Sequence, residues 1–300
     1  MIKRYTISHL FSWLLSRKLI RLLTPDSWFL FFRFKDHLGY YPNLNHPRTF
    51  NEKLQWLKLH NRNREYSIMV DKYNVRDYIA STIGEEYLIP LVGGPWKCFD
   101  KVDFDSLPSK FVLKCTHDSA SVVICNEKDS FDRKSAQIKI EQALNNNYYY
   151  LAREWPYKKV IPQIIAERFM EDEENRDLRD YKFFCFDGHV EYFKIDINRF
   201  TNHRANYYDR NGILQPFYEE SCPNDPDASI TLPSNIHEMI VLAEILAKNI
   251  PFVRIDFYDI NGKIYFGEIT LFPAGGFGKI IPEEYDLKLG SLIRLYHNNE

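Results

Sequence analysis

The stretch Phe252 to Thr270, FVRIDFYDINGKIYFGEIT, most constrains the fold. It reads as a β-hairpin whose turn, Asp259-Ile260-Asn261-Gly262, suits a type I turn followed by Gly262 in the left-handed conformation, so that Asp259 pairs with Lys263. With side chains alternating along each strand, that register puts Arg254, Asp256, Tyr258, Phe266, Glu268 and Thr270 on one face. Val253, Ile255, Phe257, Tyr265 and Ile269 fall on the other, a mostly apolar face that suits a core. A two-residue Asn261-Gly262 turn is the competing register, and it would send Asp256 and Glu268 to opposite faces.

Two carboxylates at roughly 5 Å repel by about 3 kcal/mol at an effective dielectric near 20, so a cation belongs between them. Arg254 could serve, and so could a divalent metal. The oxygen set Asp256, Glu268 and Thr270 suits Mg²⁺. Surface carboxylates paired with lysine and arginine are the plainer alternative, which the hairpin alone leaves open.

With 300 residues and 45% hydrophobic content the chain can bury a large core in one domain or several lobes, and 20 Tyr and 22 Phe argue against disorder. A formal charge of −2 excludes a general nucleic-acid binder. The cysteines at 98, 115, 125, 185 and 222 form no CxxC pair. They fit reduced thiols of a cytoplasmic protein without a zinc site.

Met1 to Lys35 mixes apolar residues with Lys3, Arg4, Arg17, Lys18, Arg21, Arg33 and Lys35. The bases interrupt every window of about 20 residues that could span a bilayer. Ile7, Leu10, Phe11, Leu14 and Leu15 follow helical spacing opposite Ser8, Ser12 and Ser16, which predicts an amphipathic helix. That helix either packs on the core or, aided by Trp13 and Trp28, attaches peripherally to the inner, anionic face of the membrane.

Downstream, Thr49-Phe50-Asn51-Glu52 has the form of a capping box opening a helix. A second helix is expected from about Ile68 to Ile83, stopped by Gly84, and a short strand from Tyr87 to Val92. Phe111–Cys125 reads as a hairpin with Lys114 among apolar neighbours. Its turn, His117-Asp118-Ser119-Ala120-Ser121, could receive a phosphate on backbone N–H groups. A helix follows from Arg133 to about Asn145, then a strand from Val160 to Met170 ending in Glu167-Arg168-Phe169, and an acidic loop to Glu174. Asp180–Ile197 is a hairpin about Asp187-Gly188, with Lys182 in its first strand. A strand near Tyr207 to Leu214, a helix from Asn235 to Asn249, the hairpin from Phe252, and a helix from Pro282 to Leu295 complete the chain.

Two strand lysines, a strand ending in an acid and a hairpin with Arg-x-Asp and Glu-x-Thr together supply what a nucleotide site needs. This order resembles the TupA-like ATP-grasp family, associated with teichuronopeptide and capsular polysaccharide biosynthesis. The matching pieces are TFNEKLQWLK, DKYNVRDYI, FVLKCTHDS, REWPYK, IIAERF, DYKFFCFDG and VRIDFYDINGKIYFGEITLFPAGG, spread over about residues 45 to 295. The resemblance implies an α+β ATP-grasp fold, with two lobes of antiparallel sheet clamping ATP behind a helical N-terminal region. The expected divisions are 1–45, a basic amphipathic segment; 46–95, helical; 96–170, the small lobe; and 171–300, the large lobe with the metal hairpin.

Carried over residue by residue, Lys114 and Lys182 contact ATP phosphates, with Ser119 and Ser121 in the phosphate turn. Glu167 and the backbone at Phe169 receive adenine, and Glu174 is the candidate for ribose. Asp256, Glu268 and Thr270 hold Mg²⁺, while Arg254 faces the transferring phosphoryl group and shares the catalytic role with Lys182. The implied activity is ATP-dependent carboxylate–amine ligation through an acyl phosphate, with a small molecule or glycan as acceptor. Two departures from the superfamily stand out: Thr270 replaces the usual Asn, and the phosphate turn has no glycine, so Asp118 is expected to point away from a phosphate. A glycosyltransferase is the alternative, since D-x-D occurs at Asp103-Phe104-Asp105 and Asp225-Pro226-Asp227; an inactive nucleotide-binding module is the second.

Overall fold

The computed structural model describes residues 18–119, 121–172, 179–197 and 201–296, with the side chains of 18–20 left aside. The predicted amphipathic helix around Ile7 to Leu15 and the ribose candidate Glu174 lie outside the described residues.

Helices come first. They are α1 (Lys18–Leu23), α2 (Asp26–Leu38), α3 (Phe50–His60), α4 (Tyr66–Met69) and α5 (Val75–Thr82). The capping box forms as expected: Thr49 accepts from the Glu52 N–H, and the Glu52 carboxylate receives the Thr49 N–H. The single helix expected over 68–83 is broken, because the buried Asp71 accepts N–H bonds from Tyr73 and Asn74 and turns the chain between α4 and α5.

Two antiparallel sheets follow. The four-stranded sheet has the order β1 (Leu91–Trp96), β4 (Ile164–Arg168), β2 (Phe111–Cys115), β3 (Val123–Cys125), with α6 (Arg133–Leu144) packed on it and α7 (Tyr149–Ala152) leading back to β4. Its first strand begins later than expected, since Glu85–Tyr87 forms a 3₁₀ turn. Leu91–Trp96 also joins this sheet from before the predicted lobe boundary at 96.

The five-stranded sheet has the order β10 (Lys263–Thr270), β9 (Phe252–Ile260), β5 (Asp180–Phe186), β6 (His189–Ile197), β7 (Arg204–Asp209). A small two-stranded sheet pairs β8 (Tyr218–Glu219) with β11 (Ile280–Ile281). The remaining helices are α8 (Ile236–Leu246) and α9 (Glu284–Leu292).

Each sheet has its own core. Phe111, Leu113, Cys115, Ile164 and Ala166 form one with Ala136 and Ile140 of α6. Phe183, Phe193, Val253, Ile255, Phe257 and Ile269 form the larger one with Met239, Ala243 and Leu246 of α8. Helices α3 and α9 meet so closely that a Cβ on Gly290 would stand 2.2 Å from the Arg48 carbonyl oxygen, which leaves glycine the only residue that fits.

The central hairpin departs from the predicted register. Lys263 pairs with Ile260 rather than Asp259, across a two-residue turn in which Asn261 (φ 53°) and Gly262 (φ 77°) both take the left-handed conformation. That turn alone would separate the two acids. They share a face because a bulge at Gly267 steps the register by one, from Phe266 opposite Phe257 to Glu268 opposite Asp256. Phe266 consequently packs with Phe257 on the apolar side, at a ring separation of 6.3 Å, and Tyr265 pairs with Tyr258, both opposite to expectation. The hairpin β5–β6 repeats the device: Asp187 and Gly188 make the two-residue turn, and an irregularity between Phe184 and Cys185 brings Lys182 opposite Lys194.

Candidate functional site

These registers align a row of side chains across the large sheet. Reading from edge to edge, Glu268 opposes Asp256, Asp256 opposes Lys182, Lys182 opposes Lys194, and Lys194 opposes Tyr207. Residues directly opposite on one face interact, so the row is one electrostatic unit. Arg254 and Thr270 form the neighbouring pair.

Arg254 gathers the acid end. Its Nε and one terminal nitrogen bind both Asp256 oxygens at 2.7 Å, and that nitrogen also reaches Glu268 Oε1 at 2.8 Å and Thr270 Oγ1 at 3.1 Å. Burial works against the guanidinium charge, but Asp256 and Glu268 hold it firmly protonated. Burial pushes the Asp256 carboxyl up to about 6 even with Arg254 and Lys182 beside it, so this carboxylate is short of positive charge. Glu268 stays below the usual carboxylate range, because Arg254 and Lys72 outweigh burial.

Hard oxygen donors, under-compensated charge and a Glu268 side chain 37% exposed to the cleft together fit a divalent cation held by Asp256 and Glu268. Thr270, the third expected ligand, stands beside them. Its hydroxyl donates to Glu268 Oε1 at 2.9 Å, which fixes the carboxylate's orientation.

Lys182 sits next in the row, nearly buried, with Asp196 Oδ2 at 2.6 Å and Asp180 Oδ2 at 2.8 Å. Burial lowers its pKa, but Asp180, Asp256 and Asp196 win and raise it. Asp196 is itself driven below the carboxylate range by Lys194 and Lys182, against burial.

The small sheet faces the hairpin. In β2 the alternation buries Phe111, Leu113 and Cys115 and turns Lys114 outward, where its Nζ meets Glu167 Oε2 of β4 at 2.6 Å, a diagonal cross-strand neighbour. Lys114, Glu167 and Glu268 line one cleft with Lys72, Arg76 and Tyr157. Phe169 follows β4, half-buried, with Lys110 Nζ 5.8 Å over its ring.

The phosphate turn folds on itself. The Ser121 hydroxyl donates to the Asp118 carboxylate and accepts the Cys115 N–H at 2.9 Å, so Asp118 turns back on its own turn, as expected. Ser119 stays exposed and shares a hydrogen bond of 3.0 Å with the Tyr148 hydroxyl. Thus Ser119 faces outward while Ser121 is a structural brace.

Sequence reasoning missed several members. Lys72 docks on the turn through its N–H to the Thr116 carbonyl, at 2.9 Å, and through its ammonium to the Asp118 carbonyl. It braces a loop that has no glycine, and the piece DKYNVRDYI was its signal. The pattern Asp180-x-Lys182 on one strand and Lys194-x-Asp196 on the next, mirrored about Asp187-Gly188, was visible but its register was not.

Glu154 and Lys58 form a further buried set near Glu268. Burial pushes Glu154 up to about 7 despite Lys58, with Glu268 adding to the rise, and burial lowers Lys58 to about 7. The D-x-D aspartates Asp103 and Asp225 lie in loops, where Asp103 only accepts from Ser106 and the Asp225 backbone pairs with Asn206. Among the described residues the only cluster with metal-ligating spacing outside the hairpin is Asp196, His203 and Cys222.

Two sheets thus face each other across a cleft, with lysines from both and paired acids on one. The family description "TupA-like ATPgrasp" matches residues 52–294. The chain belongs to this TupA-like ATP-grasp family and has the ATP-grasp fold, α+β with a helical N-terminal region.

No curated protein matches the chain significantly. Among solved structures, the D-alanine–D-alanine ligase of Helicobacter pylori is 14% identical over 81% of this chain and 69% of its own, at a TM-score of 0.42. The ATP complex of the Bacillus anthracis D-alanine–D-alanine ligase is 15% identical over 68% of this chain and 54% of its own, at 0.37. The ATP-grasp ligase PsnB with minimal precursor, Mg and ADP is 12% identical over 73% and 57%, at 0.37. The chain therefore spans about half to two thirds of the length of these structures. Among the described residues no helix is long and apolar enough to cross a membrane.

Proposed function

We propose that the chain is an ATP-dependent ligase that joins a carboxylate to an amine through an acyl phosphate. The observation that carries this reading is the row Glu268–Asp256–Lys182 on one sheet facing Lys114 and Glu167 on the other. In the first step a substrate carboxylate oxygen attacks the γ-phosphorus of ATP and the bond to the ADP oxygen breaks. In the second an amine nitrogen attacks the acyl carbon, the C–O bond to phosphate breaks with its electron pair, and the nitrogen releases its proton. Neither step needs an enzyme nucleophile, only placed charge.

Lys114 and Lys182 neutralise phosphate charge, Glu167 and the Phe169 backbone meet the base, and Arg254 faces the phosphoryl group in transfer. Asp256 and Glu268 would hold Mg²⁺, which when bound spreads the charge developing on the phosphate oxygens.

The acceptor we propose is a cell-surface polysaccharide or its precursor, with a uronic acid supplying the carboxylate and an amino acid the amine. The family's association supports the glycan context. Exposed Leu23 (77%) and Trp28 (60%) on the basic N-terminal helices support peripheral contact with a cytoplasmic membrane face carrying such precursors.

The test is incubation with Mg-ATP, uronates and amino acids, following ADP and phosphate beside turnover of nucleotide sugars. ADP release that needs both substrates is the expected result. Sugar-nucleotide turnover would favour a transferase instead, and tight ATP binding without turnover an inactive module.

A further inference from the structure

The row across the large sheet does not stop at Lys182. Lys194 lies directly opposite it on the next strand, 7% exposed, and its ammonium makes no hydrogen bond among the described residues. The nearest carboxylate oxygens stand at 3.7 Å, on Asp196, and 3.9 Å, on Glu219, which is ion-pair range but beyond hydrogen-bond reach.

The other buried lysines behave differently. Lys58 donates to Gln55 Oε1, the Ala152 carbonyl and the Gly275 carbonyl at 2.6–3.0 Å, and Lys182 has its two carboxylates within 2.8 Å. An ammonium has three donors, and the Lys194 nitrogen is not sealed from solvent, so a ligand can reach them.

The neighbouring acids reach Lys194 at ion-pair range only, Asp196 through Oδ1, which has no hydrogen-bond partner among the described residues, and Glu219 through Oε1. Asp196 gives one oxygen to Lys182, and Glu219 accepts from the Tyr207 hydroxyl at 2.9 Å. Lys194 is therefore placed between two carboxylates and over the Tyr207 ring, 5.8 Å from its centroid, with no hydrogen bond among the described residues.

Its position selects the ligand. The cleft that holds Lys114, Glu167 and Lys72 opens at the Glu268 edge of the sheet. Strands are spaced about 4.8 Å apart, so Lys194, three strands from Glu268, lies roughly 14 Å along the row from that edge. It sits one strand past the lysine nearest the paired acids.

We infer that Lys194 is the binding residue for the carboxylate of the acceptor substrate, holding it beside Lys182 at the point where the phosphoryl group arrives. This rests on the ligase reading above and adds to it the location of the acid subsite. Asp196 then bridges two stations, bonded to the phosphate lysine and adjacent to the carboxylate lysine.

The test compares wild type, Lys194→Met and Lys194→Arg, using glucuronate and galacturonate as probes. Binding of each uronate to the protein loaded with Mg-ADP is measured by ligand-observed NMR, Mg-ATP affinity by a fluorescent analogue, and uronate-dependent ADP release with hydroxylamine as the amine. Lys194→Met should raise the KM for the uronate about tenfold or more, with Mg-ATP affinity within about twofold, and Lys194→Arg should recover most of it.

Equal weakening of Mg-ATP would make Lys194 a phosphate residue and overturn the inference. An unchanged KM would overturn it while leaving the ligase reading intact. Uronate binding that depends on Lys194 without any ADP release would sink the ligase reading and keep the subsite, and no uronate binding or turnover in wild type would sink both.

Discussion

The two sheets treat charge in opposite ways. On the small sheet one lysine meets one glutamate, Lys114 with Glu167, over an apolar core that would be complete without them. On the large sheet two ion-pair groups lie side by side on one face, Asp180–Lys182–Asp196–Lys194 and Asp256–Arg254–Glu268, and they meet where Lys182 stands opposite Asp256. An isolated pair can be exchanged for a ligand without disturbing its neighbours. Groups that share charge across one face answer together, so replacing one member should disturb its neighbours more on the large sheet than on the small one.

That contrast can be broken by substitution. Glu268→Gln should cut turnover by about 10³-fold or more while nucleotide affinity falls much less; loss of both together in a folded protein would dissolve the distinction. Lys114→Met should show the reverse pattern, a rise of about 10–100-fold in the KM for ATP with a smaller change in kcat, read from steady-state kinetics. Asp196→Asn removes the carboxylate between two opposed lysines, and urea unfolding should record a loss of about 3 kcal/mol. Glu167→Gln on the small sheet should lose only about 1 kcal/mol, and equal losses would argue that charge is not shared in this way.

A control that depends on pH lies away from both sheets. Asp286 is buried and accepts two bonds from Asn51, at 3.1 and 3.2 Å, and burial pushes its carboxyl up to about 6. A raised carboxyl binds a proton in the folded state that the unfolded chain has already lost. Stability therefore falls as pH rises from about 4 to about 6. Asp286→Asn should be about 1–2 kcal/mol more stable than wild type at pH 7.5 and no more stable at pH 4, as melting curves at the two pH values would show.

Much of this was legible in the chain. Strand alternation exposed Lys114 and Lys182, the capping box fixed α3, and Asp187-Gly188 announced its turn. The family pieces located Arg254, Asp256 and Glu268. What stayed hidden depends on register and distance. Nothing local in FYDINGKIYFGE tells a bulge at Gly262 from one at Gly267, since both keep the acids on one face. The expected register was wrong at the tip and the shared face was still right. Lys194 and Asp196 needed a second bulge to come into line. Lys72 and Glu154 come from helical segments whose approach to the site is settled only by packing. The hydrogen bonds of Thr270 to Arg254 and Glu268 likewise needed the three-dimensional register.

The two bulges separate the tip of each hairpin from its working end. Counting from the turn, the strands are out of phase with the site until the extra residue resets them. The turn is thereby released from any duty to the chemistry: sequences at 187–188 or 261–262 can drift among two-residue turns without rotating a single functional side chain. In the central hairpin the extra residue is Gly267, where a Cβ would press on the Asp256 carbonyl oxygen at 3.0 Å; in β5–β6 it is Glu191, between Val190 and Tyr192. Deleting Gly267 would close the bulge into a regular ladder in which Glu268 still stands opposite Asp256, so the acids stay paired and only the local bend and twist are lost.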